Sequence, residues 1–197
     1  MLSIEKNNLL TAILILFSVS AFCYRYWEVF FKRYDIQGTV YYGWTLQLLA
    51  FFHILIGILS VCEYVAVVKS YSWVIGLIAF IVFLFGHSLR LWAIKSLGPW
   101  YSTQIEIKPN QPLIRTGAYS YLRNPYYLGV ILEVGATPFI FNGYRTFLLS
   151  LITYFPILIM RILKEEEILK NHFDALFLDY QKKVSRLVPT FISKQNK

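Results

Sequence analysis

Charge is scarce in this chain, acidic charge most of all, and cysteine, methionine and histidine are few. Of 197 residues, 11 are Asp or Glu, 15% are charged, and there are 2 cysteines, 2 methionines and 3 histidines. Each shortage excludes something. With 57% of its residues hydrophobic, the chain cannot cover itself with a polar surface, which excludes an ordinary water-soluble domain. Cys23 and Cys62 stand apart inside apolar runs. They have no metal-ligand spacing and no partner cluster, so each reads as a small buried apolar residue. His53 and His87 also fall in apolar runs and read as satisfied interior histidines, while His172 reads as solvated. No metal site is expected. The chain has no G-x-G loop of the dinucleotide-binding type, no internal repeat and no low-complexity linker.

What is present is apolar sequence in long blocks. A spanning helix needs roughly 20 apolar residues at about 1.5 Å each, and five segments qualify: Leu9 to Phe31, Gly43 to Val68, Ser72 to Lys95, Tyr126 to Asn142 and Tyr144 to Ile162. The expected fold is therefore all-α, a multi-span integral membrane protein with about five transmembrane helices. It forms a single domain over 1–197, with three spans in 1–95 and a loop, a helical hairpin and a C-terminal helix in 96–189. The first block has no basic flank and no small-residue cleavage site, and Arg25 and Glu28 sit near its end. It is expected to stay in the mature protein rather than act as a signal peptide.

Lys and Arg accumulate on the cytoplasmic side of spans. With five spans, one side carries only Lys6, Lys69 and Arg145. The other carries Lys32, Arg33, Lys95, Lys108, Arg115, Arg123, Lys164, Lys170, Lys182, Lys183, Arg186, Lys194 and Lys197. The N terminus is thus expected outside, and the polar loop and C terminus in the cytosol. The net charge of +8 then reads as membrane orientation and contact with anionic lipid. Nothing in the pattern resembles a nucleic-acid groove. Residues 164–188 place Ile168, Leu169, Phe173, Leu176, Phe177 and Tyr180 at helical spacing, as in an amphipathic helix at the interface, and Pro189 stops it.

The most informative stretch runs from Leu113 to Glu166. It opens with the loop LIRTGAYSYLRNPYYLG and closes with Arg161-Ile162-Leu163-Lys164-Glu165-Glu166, and the hairpin between them returns both clusters to one membrane face. Charge gathered at the edge of hydrocarbon is usually functional. Pro125 suits the first turn of a helix, whose N terminus favours an anionic group. The rings of Tyr119, Tyr121, Tyr126 and Tyr127 could stack on a flat base or hold a cation. For Tyr121 and Tyr126 an interfacial aromatic belt is an equal reading.

The pattern Leu-Ile-x-x-Gly-x-Tyr-x-x-x-Arg-Asn-Pro-x-Tyr-x-Gly over 113–129, then Arg-Ile-x-x-Glu-Glu over 161–166, then Phe173, Tyr180 and Val188-Pro189, resembles the isoprenylcysteine carboxyl methyltransferase family. The likeness covers about the C-terminal half and points to a short, prokaryotic-type member. It implies an S-adenosylmethionine-dependent methyltransferase that takes a lipophilic or lipidated acceptor from the bilayer. Cofactor contacts are implied for Tyr119, Arg123, Asn124, Pro125, Tyr127, Glu165 and Glu166. Asn124 stands where the best-known members have His, so a role needing imidazole basicity is lost while hydrogen bonding survives. The stretch Leu89 to Trp100 resembles bacterial members, some of which methylate long-chain phenolic or pyrone lipids.

The acceptor decides which side chains act. A carboxylate is ionised at neutral pH and needs only a cation to steer it, a role for Arg161 or Arg123. A phenol needs help losing its proton, which draws attention to Glu133, an acid inside the hairpin that either serves as base or pairs with Arg90 or Arg161. Methylation of a lipidated carboxyl or hydroxyl group is the first expectation. Phospholipid amine methylation, a nicotinamide-dependent membrane reductase and a non-catalytic scaffold are the others.

Overall fold

The computed structural model describes residues 3–5, 8–30 and 37–188. Lys6, Lys32, Arg33, Pro189, Lys194 and Lys197, on which part of the expected orientation and the C-terminal stop rest, lie outside the described residues. Helix α1 spans Asn8–Phe30, α2 Gly43–Ala66, α3 Trp73–Leu97, α4 Pro125–Ile140, α5 Tyr144–Phe173 and α6 Ala175–Lys183. By length and composition α1, α2, α3 and α5 can each cross a membrane. Their outward faces are apolar, with Leu16, Phe51, Phe85 and Ile152 all more than half exposed. In water such a surface would aggregate, whereas hydrocarbon solvates it.

The fourth expected span differs from the others. Helix α4 has 16 residues, about 24 Å at 1.5 Å per residue, short of a hydrocarbon core of roughly 30 Å. It reaches both ends of the bundle all the same, because no residue in it is exposed and its neighbours meet the membrane in its place. At its far end the Tyr71 hydroxyl donates to the Ile140 carbonyl at 2.9 Å, and the Ser72 amide donates to Asn142 Oδ1 at 2.8 Å. Close packing against α3 depends on two glycines. A Cβ on Gly86 would lie 2.8 Å from the Gly129 carbonyl, and one on Gly129 would lie 2.7 Å from the Gly86 carbonyl. The two backbones touch there, in the manner of small-residue helix contacts in membranes.

Two short antiparallel ribbons mark the two ends. Strand β1 (Ser3–Glu5) pairs with β3 (Ser70–Ser72), and β2 (Thr39–Tyr41) with β4 (Ile105–Ile107). The first ribbon joins the start of α1 to the α2–α3 turn, and the second joins the α1–α2 connection to the loop after α3. Helices α1 to α5 therefore alternate in direction. At the first end Glu63 of α2 caps α5, accepting from the Arg145 amide at 3.0 Å and the Thr146 amide at 2.8 Å, a favourable place for an acid beside a helix N terminus.

Two sequence expectations are corrected and a third is made more specific. Helix α5 does not stop near Ile162 but runs to Phe173, since Lys164, Glu165, Glu166, Leu169 and Lys170 all favour helix and nothing interrupts them. The break comes at Asp174, in a left-handed conformation with φ 44°, leaving only Ala175–Lys183 as a separate helix. Cys23 and Cys62 are exposed, not buried, because hydrocarbon exerts no hydrophobic drive to bury a thiol. The apolar residues Ile168, Leu169, Phe173, Phe177 and Tyr180 line an internal cleft, so the apolar face of this segment is turned toward the protein; Leu176 is outward, at 58% exposure.

Candidate functional site

Two cavities adjoin at the end of the bundle that carries the 98–124 loop. The first is a polar cleft walled by the segment from Ser102 to Ile107, by Tyr119, Arg123 and Asn124, by Glu165 and Glu166 on α5, and by Phe177 and Tyr180 on α6. The second is an apolar groove of about 400 Å³ between α1, α2, α4 and α5. Val19, Tyr26 and Ile54 line its outer part and are each about half exposed, so the groove reaches the lipid-facing surface.

The cleft is fastened by one carboxylate. Glu166, 4% exposed, accepts from Arg123 Nε at 3.0 Å, Asn124 Nδ2 at 2.7 Å and Arg186 Nη2 at 2.8 Å. Arg123 also donates to the Val184 carbonyl at 2.6 Å and the Gln181 carbonyl at 3.1 Å. The amides of Arg123 and Asn124 donate to the carbonyls of Ser185 and Arg186. Together these bonds bind residues 181–186 across the start of α4. Tyr180 adds a bond from its hydroxyl to the Tyr119 carbonyl at 2.5 Å, and burial pushes both phenols above their ordinary pKa. Burial pulls the Lys108 ammonium down while it donates to the carbonyls of Pro99 and Tyr101, fixing the loop that forms the other lip.

A second constellation stands where cleft and groove meet. The Tyr127 hydroxyl donates to Glu165 and accepts from Arg161 Nε at 3.0 Å. Arg161 also donates to Thr45 Oγ1 and, at 2.7 Å, to the Thr103 carbonyl. Arg161 and Tyr127 line the groove, Glu165 lines the cleft, and all three come from α4 and α5. Arg161 and Glu165 are four residues apart and so lie on one face of the helix.

Glu133 belongs elsewhere. It accepts Arg90 Nε at 3.0 Å on both oxygens and is 2.9 Å from His87 Nδ1. Arg90 in turn pairs with Glu28, which is 3.0 Å from Arg25. This buried chain of charges joins α1, α3 and α4, and Glu133 pairs with Arg90 and not with Arg161. Of the suspected site residues, Tyr119, Arg123, Asn124, Glu165 and Glu166 gather at the cleft. Tyr127 and Arg161 stand at its junction with the groove, and Pro125 opens α4 beside them. Tyr126 lines the groove, whereas Tyr121 is 65% exposed and packs on Trp92, an interfacial position. The third acid of the run, Glu167, faces out and pairs with Lys164 at 2.8 Å.

Thr45, Thr103, Arg186 and the Arg25–Glu28 pair escaped the sequence reading. Arg25 and Glu28 carried a signal, being charges inside an apolar run. Thr45, Thr103 and Arg186 carried none, because their partners are 116, 58 and 20 residues away.

This fold and site define a multi-pass helical membrane protein in which a polar, acid-lined cleft at one end adjoins a groove open to lipid. Residues 77–171, a region that holds most of α3, the loop, α4 and nearly all of α5, match the model of the isoprenylcysteine carboxyl methyltransferase family, and over that region the chain is similar to this family. It is also similar to the uncharacterized protein YpbQ of Bacillus subtilis (strain 168), with 34% identity over 101 residues. That match covers 51% of this chain and 59% of the relative, so the chain spans about three fifths of the relative's length.

Proposed function

We propose that this protein transfers a methyl group from S-adenosylmethionine, held in the cleft, to a carboxylate on a lipophilic acceptor that enters the groove from the bilayer. The observation that carries this reading is the shared wall of Tyr127, Arg161 and Glu165 between a polar cleft and a lipid-facing groove. The donor set fits the cofactor. Glu165 accepts only from Tyr127 among the described residues, which leaves an oxygen for a cationic or hydroxyl group, and Trp100, Tyr119, Phe173 and Phe177 offer aromatic walls to a flat base. Glu166, by contrast, has its carboxylate filled by Arg123, Asn124 and Arg186. These three and Glu166 form the lip that encloses the cofactor, and Pro125 and Tyr127 set the floor.

The charges of the groove select the acceptor. Its charged lining residues are Arg25 and Arg161. Arg25 is matched by Glu28, but Arg161 has no carboxylate partner among the described residues, its bonds going to two hydroxyls and a carbonyl. A guanidinium that faces an apolar groove with no carboxylate in direct contact attracts an anion and repels a cation, favouring a carboxylate over a phospholipid amine. A phenol would need a base, and Glu133, the acid of the hairpin, does not line the groove and is held by Arg90 and His87. No observation favours a reductase or a scaffold.

When bound, the cofactor supplies a methyl group on a sulfonium; a carboxylate lone pair forms the new O–C bond as the C–S pair returns to sulfur, with no proton or electron to balance. The chain's own contribution is placement. Arg161 holds the acceptor oxygen beside the cleft, the groove excludes water, and fixed geometry of this kind contributes up to about 7–11 kcal/mol in intramolecular models. By the distribution of Lys and Arg, the cleft faces the cytosol, where the cofactor is.

The test is transfer of labelled methyl to N-acetyl-S-farnesylcysteine by the purified chain in lipid vesicles. Label should enter an ester and be released as methanol by mild alkali. Arg161→Gln should lower transfer at least about tenfold, as expected for loss of a charged hydrogen bond, and Glu133→Gln should change it little in molecules that remain folded. Alkali-stable label with a phenol or ethanolamine lipid, and none with the carboxylate, would overturn this reading.

A further inference from the structure

We infer that Tyr127 couples the two binding sites, so that the cofactor and the anionic acceptor each strengthen the other's binding through its hydroxyl. The inference rests on the functional reading above and goes beyond it by assigning a regulatory link to a single oxygen atom. In the structure that oxygen donates to Glu165 and accepts from Arg161 Nε. Tyr127 is 6% exposed and Arg161 3% exposed, and Glu165 is partly buried, so the row Arg161, Tyr127, Glu165 is a positive and a negative charge joined across one neutral group and largely removed from water. Interaction between such charges is strong compared with that at a surface.

Each ligand interrupts the row at one end. A cation of the cofactor against Glu165 takes up the negative charge and leaves Arg161 uncompensated, hence more attractive to a carboxylate in the groove. A carboxylate on Arg161 leaves Glu165 uncompensated, hence more attractive to a cation in the cleft. The two effects must be equal, since coupling between binding sites is reciprocal. Methyl transfer removes both charges together, turning sulfonium into thioether and carboxylate into ester. The internal row then re-forms, which favours release of both products.

The hydroxyl fixes the relative placement of the two charged groups. Thr45 and Thr103 hold the remaining nitrogens of Arg161, so the guanidinium stays in the groove wall when the phenol is removed, and only the bridge is lost. Tyr127 is thus a positioning residue, acting through Arg161 and Glu165, and the coupling factor is a readout that a merely structural role would not move.

The experiment is calorimetric binding of sinefungin, a cofactor analogue that carries an amine in place of the sulfonium, to the full chain in detergent. Binding is measured alone, with N-acetyl-S-farnesylcysteine, and with its methyl ester. Couplings of this kind are typically about 5–150-fold. The acid should tighten sinefungin binding at least about fivefold, the low end of that range, and the neutral ester should leave it unchanged. In Tyr127→Phe the effect of the acid, taken as the ratio of sinefungin affinities with and without it in that variant, should fall below about twofold. An undiminished effect in Tyr127→Phe, or an ester as effective as the acid, overturns the coupling and leaves the functional reading standing. Absence of sinefungin binding to the unaltered chain overturns both.

Discussion

The two neighbouring acids of α5 do different work although they differ by one residue in sequence. Glu166 points into a ring of Arg123, Asn124 and Arg186, and Glu165 points at Tyr127 and the cleft. Glu165→Gln should weaken S-adenosylhomocysteine binding about tenfold by calorimetry, the worth of one charged hydrogen bond, with little loss of thermal stability. Glu166→Gln leaves the mostly buried Arg123 without its charge partner. It should destabilise the fold by about 3 kcal/mol, the lower end for breaking a buried pair, seen as a lower unfolding temperature. Equal effects of the two changes on affinity and on stability would merge the roles separated here. Tyr180 makes a third case. Its folded pKa lies above the unfolded value of about 10, so the unfolded state loses its proton first as pH rises. The stability that Tyr180 contributes is therefore whole below about pH 10 and declines above it. Denaturation followed from pH 8 to 11 should show this decline shrinking in Tyr180→Phe.

Among the elements, α4 has the least freedom. It is short, wholly enclosed, and pressed against α3 at Gly86 and Gly129, and it begins at the residues that build the cleft. A methyl group on Gly129 would meet the Gly86 carbonyl at 2.7 Å and Arg90 Cβ at 2.8 Å, whereas one on Gly135 would meet only Phe155 Cζ at 3.7 Å. Gly129→Ala should therefore cost about 1–3 kcal/mol through overpacking. Gly135→Ala should be neutral or stabilising by up to about 1 kcal/mol, because alanine favours helix. Thermal unfolding in detergent compares them, and equal shifts would mean the close α3–α4 contact is not maintained. The cleft has a free volume of about 80 Å³, against about 400 Å³ for the groove. A nucleoside-sized cofactor must then displace a lip, and the 104–114 segment forms one such lip. Hydrogen exchange there should slow on adding S-adenosylhomocysteine, and unchanged exchange would place the entry path elsewhere.

For the molecule as a whole, the ribbons at opposite ends and the alternating helices put the start of α1 at one face and α6 at the other. The positive residues then predict which face is cytosolic. In a background with Cys23 and Cys62 replaced, single cysteines at Asn8 and Gln195 should react with an impermeant reagent from opposite sides, Asn8 from outside. Reaction of both from outside would overturn the orientation. The arrangement also explains the low acid content. Among the described residues, the buried acids each have work to do: Glu28 and Glu133 tie helices together, Glu63 caps α5, and Glu166 fastens the cleft.

By itself the sequence determined the solvent, the approximate number of helices and the neighbourhood of the site. These follow from local properties: the length of apolar blocks, the scarcity of charge, and a polar motif on each side of a hairpin-length run. It also brought Arg123, Arg161, Glu165 and Glu166 together, because a helical hairpin must return both of its ends to one face. Tertiary structure alone decided what each charge touches. Nothing local distinguishes Glu165 from Glu166 or Glu167; helix rotation sends one to the cleft, one to the arginine clasp and one to water. Nothing local stops α5 at the membrane edge, so its boundary was set by Asp174 and by packing under α6. The apolar face of 168–180 could equally have met lipid, and it meets the cleft because Arg123 and Arg186 draw the C-terminal segment onto Glu166 over the start of α4.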